Sequence, residues 1–232
     1  IMLLYQNSCE LYKDDGKATA LDQKKAVKVF EQWTQFYTSY NLLVQYDFSN
    51  RFRTGEMPIA IANFSQYNQL SVFAPEIQGL WKMVPVPGLL QKDGTINRSA
   101  ASTGAACIIM GQTRHKNEAW EFLKWWTSAE IQLRYAKEME SIMGVAARYP
   151  TANREAFSQV AWSNKDYANL MDQWKFVKGI PEVPGSYITS RYINFAFKSV
   201  INSNEEPGQS ILDYAKKINE EISRKRKEIT ID

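Results

Sequence analysis

The sequence predicts an α/β fold, helix-rich with a small mixed sheet, and three observations carry that expectation. Short, continuously apolar runs of strand length stand at Met57–Asn63, Trp81–Val86 and Ala105–Met110. Beyond residue 116 the apolar residues recur instead at three- and four-residue steps, as helices require. Gly- and Pro-bearing breaks such as Pro85-Val86-Pro87-Gly88 and Ile180-Pro181-Glu182-Val183-Pro184-Gly185 separate the pieces. The chain has 232 residues, 44% of them hydrophobic and 23% charged, enough to bury a core without disulfides. That balance excludes disordered, collagenous and disulfide-scaffold classes. A net charge of +3, with basic residues interleaved among acidic ones, argues against a nucleic-acid partner. No run approaches the ~20 apolar residues that span a bilayer. Aromatic residues make up 13% of the chain, a content that raises the question of a ligand pocket.

Ile1-Met2-Leu3-Leu4 reads as the middle of a strand, and the chain as a fragment whose targeting segment lies upstream. The four apolar residues before Cys9 are shorter than the ~7–15 of a signal h-region. Lys13-Asp14-Asp15-Gly16-Lys17 and Lys92-Asp93-Gly94-Thr95 read as tight turns, because Asp-Gly supplies the positive φ that a hairpin needs. The first lacks the later ligands of a calcium loop. Asp22 is expected to cap a helix whose face carries Ala26, Val29/Phe30, Trp33, Phe36/Tyr37 and Tyr40. The run Met57–Asn63 is expected to be buried on both faces and to end in the polar, aromatic-bearing loop Asn63-Phe64-Ser65-Gln66-Tyr67-Asn68. Ligands of α/β folds gather at such strand ends.

Asn117-Glu118 opens a helix with Ala119, Trp120, Leu123 and Trp126 on its apolar side. Ser128 caps the next helix, which carries Ile131, Tyr135 and Met139. Helices are further expected at Arg154–Trp162, Asp166–Val177, Tyr187–Asn202 and Pro207–Lys227, the last with Ile211, Ala215, Ile218 and Ile222 as its stripe. Arg224-Lys225-Arg226-Lys227 suits a helix C-terminus, where the dipole favours cations.

Little in the sequence argues for catalysis. Cys9 and Cys107 fit no redox or zinc spacing and read as small buried or semi-buried hydrophobes. The single histidine, His115, has no adjacent carboxylate to orient it as in a nucleophilic triad. Nucleotide-loop, zincin and nucleophile-elbow patterns are missing. Glu138 and Glu140 point in different directions on a helix and read as solvated carboxylates. No cofactor or metal is expected, and the chain is read as no enzyme.

The order of the pieces resembles a known family. Phe52-x-x-Gly55-Glu56-Met57 leads into an apolar strand, followed by Val84-Pro85-Val86-Pro87-Gly88 and Ser102-Thr103-Gly104. With the stretch Asn117-Glu118-Ala119-Trp120-Glu121-Phe122-Leu123-Lys124-Trp125-Trp126-Thr127-Ser128, this order is similar to the extracellular solute-binding proteins of ABC importers (family 1, maltose-binding-protein-like). Gly144-Val145-Ala146-Ala147-Arg148 lacks the proline that the family often has there. The resemblance implies a periplasmic-binding-protein-like fold (type II), mostly its C-terminal lobe. Residues 1–104 would form the α/β core of the second lobe and 163–232 its helical completion. Residues 105–162 would pack on a first lobe lying mostly upstream, so an uncovered Trp120/Leu123/Trp126 face is expected to drive self-association or rearrangement.

The resemblance further implies capture of a small solute, a carbohydrate or oligosaccharide, outside the cell and its delivery to an ABC permease. The location would be extracellular, lipid-anchored at the cell surface or periplasmic. Sugar sites pair aromatic platforms with amides and hydroxyls. Asn63, Phe64, Gln66 and Tyr67 supply that mixture, Ser65 standing where such proteins carry a tryptophan. Thr103 and Gly104 offer a hydroxyl and backbone donors, and Tyr187 and Arg191 lie near a further ligand contact of the family. Arg148 and Trp174 are lesser candidates. A peptide or charged sugar facing Arg191 or Arg148 is the alternative in the same class, and a carbohydrate-active enzyme is the alternative from another.

Overall fold

The computed structural model describes residues 1–102 and 104–229. In chain order the helices are α1 (Met2–Gln6), α2 (Lys24–Thr38), α3 (Phe48–Arg53), α4 (Ser65–Phe73), α5 (Lys116–Thr127), α6 (Ala129–Met143), α7 (Arg154–Ser158), α8 (Asn164–Trp174), α9 (Thr189–Ser203) and α10 (Pro207–Ile229). The strands are β1 (Tyr12–Lys13), β2 (Ala18–Thr19), β3 (Leu89–Leu90), β4 (Ile96–Asn97), β5 (Ala100–Ser102) and β6 (Val177–Gly179). They form three two-stranded sheets, two antiparallel hairpins and one parallel pair, β5–β6. The chain divides into two compact units.

Unit 1 comprises Ile1–Gln45 with the described parts of 87–103 and 176–232. Its core is built where α2 and α9 meet α10, with Val29, Phe30, Phe197, Val200, Ile211, Ile218 and Ile222 buried together. The expected α10 stripe is the centre of that core, as the i, i+4, i+7 spacing demands. Trp33 stacks on Phe197 at 4.4 Å and Tyr37 meets the same ring edge-on at 4.9 Å. Beyond this contact the face runs out, so Phe36 and Tyr40, expected in the core, are exposed.

Both Asp-Gly turns join hairpins as expected. Asp14, Asp15 and Gly16 all have positive φ between β1 and β2, and Gly94 has φ +83° between β3 and β4. Two expectations for this unit fail. Residues 2–6 are a helix, not mid-strand, with Leu4 and Tyr5 buried in the core; a short apolar run carries no period to decide between the two. Asp22 does not cap α2, whose N-cap is Gln23 without a side-chain bond, because Lys13 draws the Asp22 carboxylate to 2.7 Å.

Unit 2 comprises Tyr46–Val86 and Gly104–Lys175. Ser128 caps α6 as expected, its Oγ accepting from Ile131 N, and Asn153 and Ser163 cap α7 and α8 in the same way. The expected helix at 154–162 closes early, since the backbone turns through Phe157, Val160 and Trp162. The following helix ends at Trp174, leaving Val177 to enter β6.

The main correction concerns the three expected strands. Met57–Asn63, Trp81–Val86 and Ala105–Met110 lie in no ladder among the described residues. The first is not buried on both faces: Ile59 is 84% and Ile61 56% exposed, and Ile108 of the third is 76% exposed. Continuous apolarity marks a segment that requires cover but does not say what covers it. The exposed segment Ala105–Met110 also places Cys107 at the surface, whereas Cys9 is buried as expected. On α5 no residue is buried, and Trp120, Phe122 and Trp125 stand in solvent. None of the described helices is long and apolar enough to cross a membrane.

Candidate functional site

The polar loop after residue 62 becomes the start of α4, with Phe64 as its N-cap. Backbone bonds from Gln66 N to Asn63 O and from Tyr67 N to Phe64 O wind the first turn. That turn directs Phe64 and Tyr67 into an aromatic cluster. The Tyr67 ring lies 5.1 Å from Trp81 and 5.2 Å from Trp162, both edge-to-face. Phe64 meets Trp162 at 6.3 Å and Phe157 at 6.4 Å. Phe52 of α3 extends the cluster through Trp81 at 6.0 Å. Edge-to-face pairs at these separations are attractive beyond their area burial.

Polar groups fix the cluster. The Tyr67 hydroxyl donates to Asp166 Oδ2 at 2.9 Å. Burial raises the Tyr67 phenol above its ordinary range, and the Asp166 carboxylate adds to that shift, while Arg148 opposes it. Arg148 lies over the Trp162 ring, its Cζ 5.0 Å from the centroid. Its guanidinium donates from Nε and Nη2 to both oxygens of Glu140, at 3.0 and 2.6 Å. Glu140 is therefore a half-buried partner of Arg148, not the solvated carboxylate expected, and Glu138 pairs with Arg134 on the helix surface. Trp81 is held through its own segment: Asn169 Nδ2 donates to Met83 O at 2.7 Å and Gln173 Oε1 accepts from Val86 N at 2.8 Å.

Two buried polar atoms at the cluster carry no hydrogen bond. Asn68, 3% exposed, donates from Nδ2 to Arg148 O, and its Oδ1 is without a partner, as is Trp162 Nε1. One is an acceptor and the other a donor. Each unsatisfied buried group costs about 1–3 kcal/mol.

The expected site residues divide. Phe64 and Tyr67 are in the cluster, with Gln66 half-buried beside them and Asn63 exposed at the edge of the turn. Gly104 is exposed, with no atom within 4 Å of where a side chain would begin. Thr103 lies outside the described residues. Trp174 packs on Phe157 at 4.7 Å and behaves as core.

Tyr187 and Arg191 belong to unit 1. Tyr187 sits in a 3-10 turn (Ser186–Ile188) before α9, 60% exposed, and Arg191 is exposed on α9. Gly185 opens this turn at φ +85°, where an added Cβ would meet the α10 backbone at 3.0 Å, so only glycine fits. The Tyr187 hydroxyl donates to Glu221 Oε1, and Arg224 Nε donates to Glu221 Oε2 at 2.8 Å. Arg224, then Tyr187, holds the Glu221 carboxyl at about 2. A depressed carboxylate pKa means the ionic network is intact above the ordinary value of 4.5 and is lost as the pH falls through about 2. Carboxyl-carbon NMR should find Glu221 titrating near 2, and Tyr187→Phe should raise that value; an ordinary, unmoved titration would contradict the network.

Sequence reading missed Trp81, Trp162 and Asp166. Their only local signals were the opening of an apolar run, a helix end and a helix start, none of which points at Tyr67. No group of three or more His, Cys, Asp or Glu side chains is placed to hold a metal among the described residues.

Comparison with known proteins places this architecture. No curated protein sequence matches the chain. A solute-binding protein of an ABC transporter from Thermotoga lettingae, solved with α-D-tagatose, superposes with a TM-score of 0.71 at 19% identity, over 95% of this chain and 55% of that one. The sugar-binding protein MalE of Xanthomonas citri gives a TM-score of 0.71 at 15% identity, over 100% and 57%. A substrate-binding protein from Listeria monocytogenes in complex with cycloalternan gives 0.58 at 14%, over 94% and 55%. The chain thus has the helix-rich, periplasmic-binding-protein-like fold and spans somewhat more than half the length of these structures. Residues 1–184 match the family described as bacterial extracellular solute-binding protein. The chain belongs to that family of extracellular solute-binding proteins.

Proposed function

We propose that this chain is part of a protein that captures a carbohydrate, an oligosaccharide, outside the cell and delivers it to an ABC importer permease. The observation that carries the ligand reading is the cluster of Phe64, Tyr67, Trp81 and Trp162. Sugar rings present apolar C–H faces with hydroxyl rims, which aromatic platforms flanked by hydrogen-bonding groups complement. The sugar ligands named for the Thermotoga and Listeria proteins support the same class.

A charged sugar facing Arg148 is the weaker reading, because both oxygens of Glu140 already neutralise that guanidinium. The carbohydrate-active enzyme would need two carboxylates about 5–10 Å apart across a cleft. The carboxylates bonded within the cluster have other tasks, Glu140 on Arg148 and Asp166 on Tyr67. In the proposed reading the segment 105–162 packs on further protein, and Thr103, Gly104, Tyr187 and Arg191 remain proposed ligand contacts beside Asn63, Phe64, Gln66 and Tyr67. The protein acts at the cell surface, lipid-anchored, or in the periplasm.

The test is a thermal-shift screen of sugars and peptides on the full-length protein, repeated on Phe64→Ala and Tyr67→Ala. Each substitution should weaken the stabilising sugar by about 10–100-fold, as removal of a central aromatic contact does. Ligand stabilisation that survives both unchanged places the site elsewhere, and stabilisation by peptides alone overturns the carbohydrate reading.

A further inference from the structure

An aromatic ring is a useful platform only if it is held still, because a ring that must be ordered on binding weakens the complex by the entropy lost. Tyr67 is held against Trp81 and Trp162 by edge contacts, which resist rotation poorly, and by one directional bond, from its hydroxyl to Asp166 Oδ2 at 2.9 Å. A hydrogen bond to an ionised carboxylate is roughly twice as strong as a neutral one. Asp166 is itself fixed: its N–H donates to Ser163 Oγ at 3.1 Å, and Ser163 Oγ donates back to Asp166 Oδ2 at 2.6 Å. This is the rigid first turn of α8. The same helix supplies Asn169 and Gln173, which hold the segment carrying Trp81.

We propose that Asp166 is a positioning residue of the ligand site: from the start of α8 its carboxylate clamps the Tyr67 hydroxyl and so fixes the ring against Trp81 and Trp162 before ligand arrives. One helix then sets two of the rings, Tyr67 through Asp166 and Trp81 through Asn169 and Gln173. The proposal rests on reading the cluster as the ligand site, so its test separates the two.

Full-length protein carrying ring-carbon-labelled tyrosine is titrated by NMR as wild type, Asp166→Asn and Asp166→Ala, with the Tyr67 signal assigned by its loss in Tyr67→Phe. Removing the carboxylate charge should lower the Tyr67 phenol titration in both variants, which reports that the bond forms in solution, while the affinity difference between the Ala and Asn variants separates positioning of the ring from a merely structural role. Affinity for maltotriose, D-tagatose and cycloalternan is then measured. Asp166→Ala should weaken whichever binds by about 3–10-fold, the equivalent of one side chain left unordered. Asp166→Asn keeps an acceptor and should recover most of that loss.

An unmoved Tyr67 titration in Asp166→Ala overturns the proposal, whether or not any of the three sugars binds. So does unchanged affinity in Asp166→Ala while Phe64→Ala weakens binding, and the ligand site then stands without its clamp. Unchanged affinity in Phe64→Ala and Tyr67→Ala as well removes the site reading itself, and the positioning role with it.

Discussion

Phe157→Ala will destabilise the protein by about 3–5 kcal/mol, the range for deleting a fully buried aromatic ring. Phe157 has no solvent exposure. Its ring neighbours Phe64 and Trp162 from the aromatic cluster and Tyr167 and Trp174 from α8, at 4.7 to 6.4 Å. The void left by truncation is bounded by rings on several elements, so collapse of the surroundings is limited and the cavity contributes to the cost. The loss should appear as a lower denaturation midpoint in urea, with near-UV circular dichroism weakening because the tryptophans lose their fixed surroundings. Phe157→Leu, which keeps most of the volume, should cost less than half as much. An alanine variant within 1 kcal/mol of wild type would show that the cluster does not hold unit 2 together.

Residues 1–232 studied alone will self-associate through the uncovered apolar segments of unit 2. Ile59, Ile61, Ile108 and Met110 stand in solvent on segments that join no ladder among the described residues, and Trp120, Phe122 and Trp125 are exposed on α5. Exposed apolar patches larger than a few hundred Å² are uncommon on monomers. Sedimentation velocity at micromolar concentration should therefore show dimers or larger species. Ile59→Lys with Ile108→Lys should return the chain to a monomer without lowering its stability, since neither side chain is buried. A wild-type chain that sediments as a monomer would contradict this expectation.

How much could be read in advance depended on whether the signal was local. The α10 stripe, the Ser128 cap and both Asp-Gly hairpins carry their own period or turn chemistry, and each forms as expected. The failures are places where a non-local partner decides. Asp22 has good capping chemistry, but Lys13 takes its carboxylate. Met57–Asn63 has the composition of a doubly buried strand, yet Ile59 and Ile61 stay exposed while Met57 and Ala60 are only half-buried. Phe64 and Tyr67 are singled out by sequence because they follow an apolar run, and the structure brings both rings into the aromatic cluster. Their ring partners Trp81 and Trp162, and Asp166 beneath Tyr67, come from distant segments, and no sequence spacing records that meeting.

The path of the chain through unit 1 also governs how it is made. The Thr19 amide is satisfied by Asn219 Oδ1 at 2.7 Å, 200 residues later, and the Tyr5 hydroxyl bonds Gly179 O, 174 residues later. During synthesis Leu11, Leu21 and Phe30 are made well before the α10 residues that cover them. At about 5–20 residues per second, that interval is on the order of ten seconds or more. Unit 2 can fold in the meantime, whereas unit 1 waits with its apolar surface open. The late step in making unit 1 is therefore the docking of α10 onto a surface already synthesised.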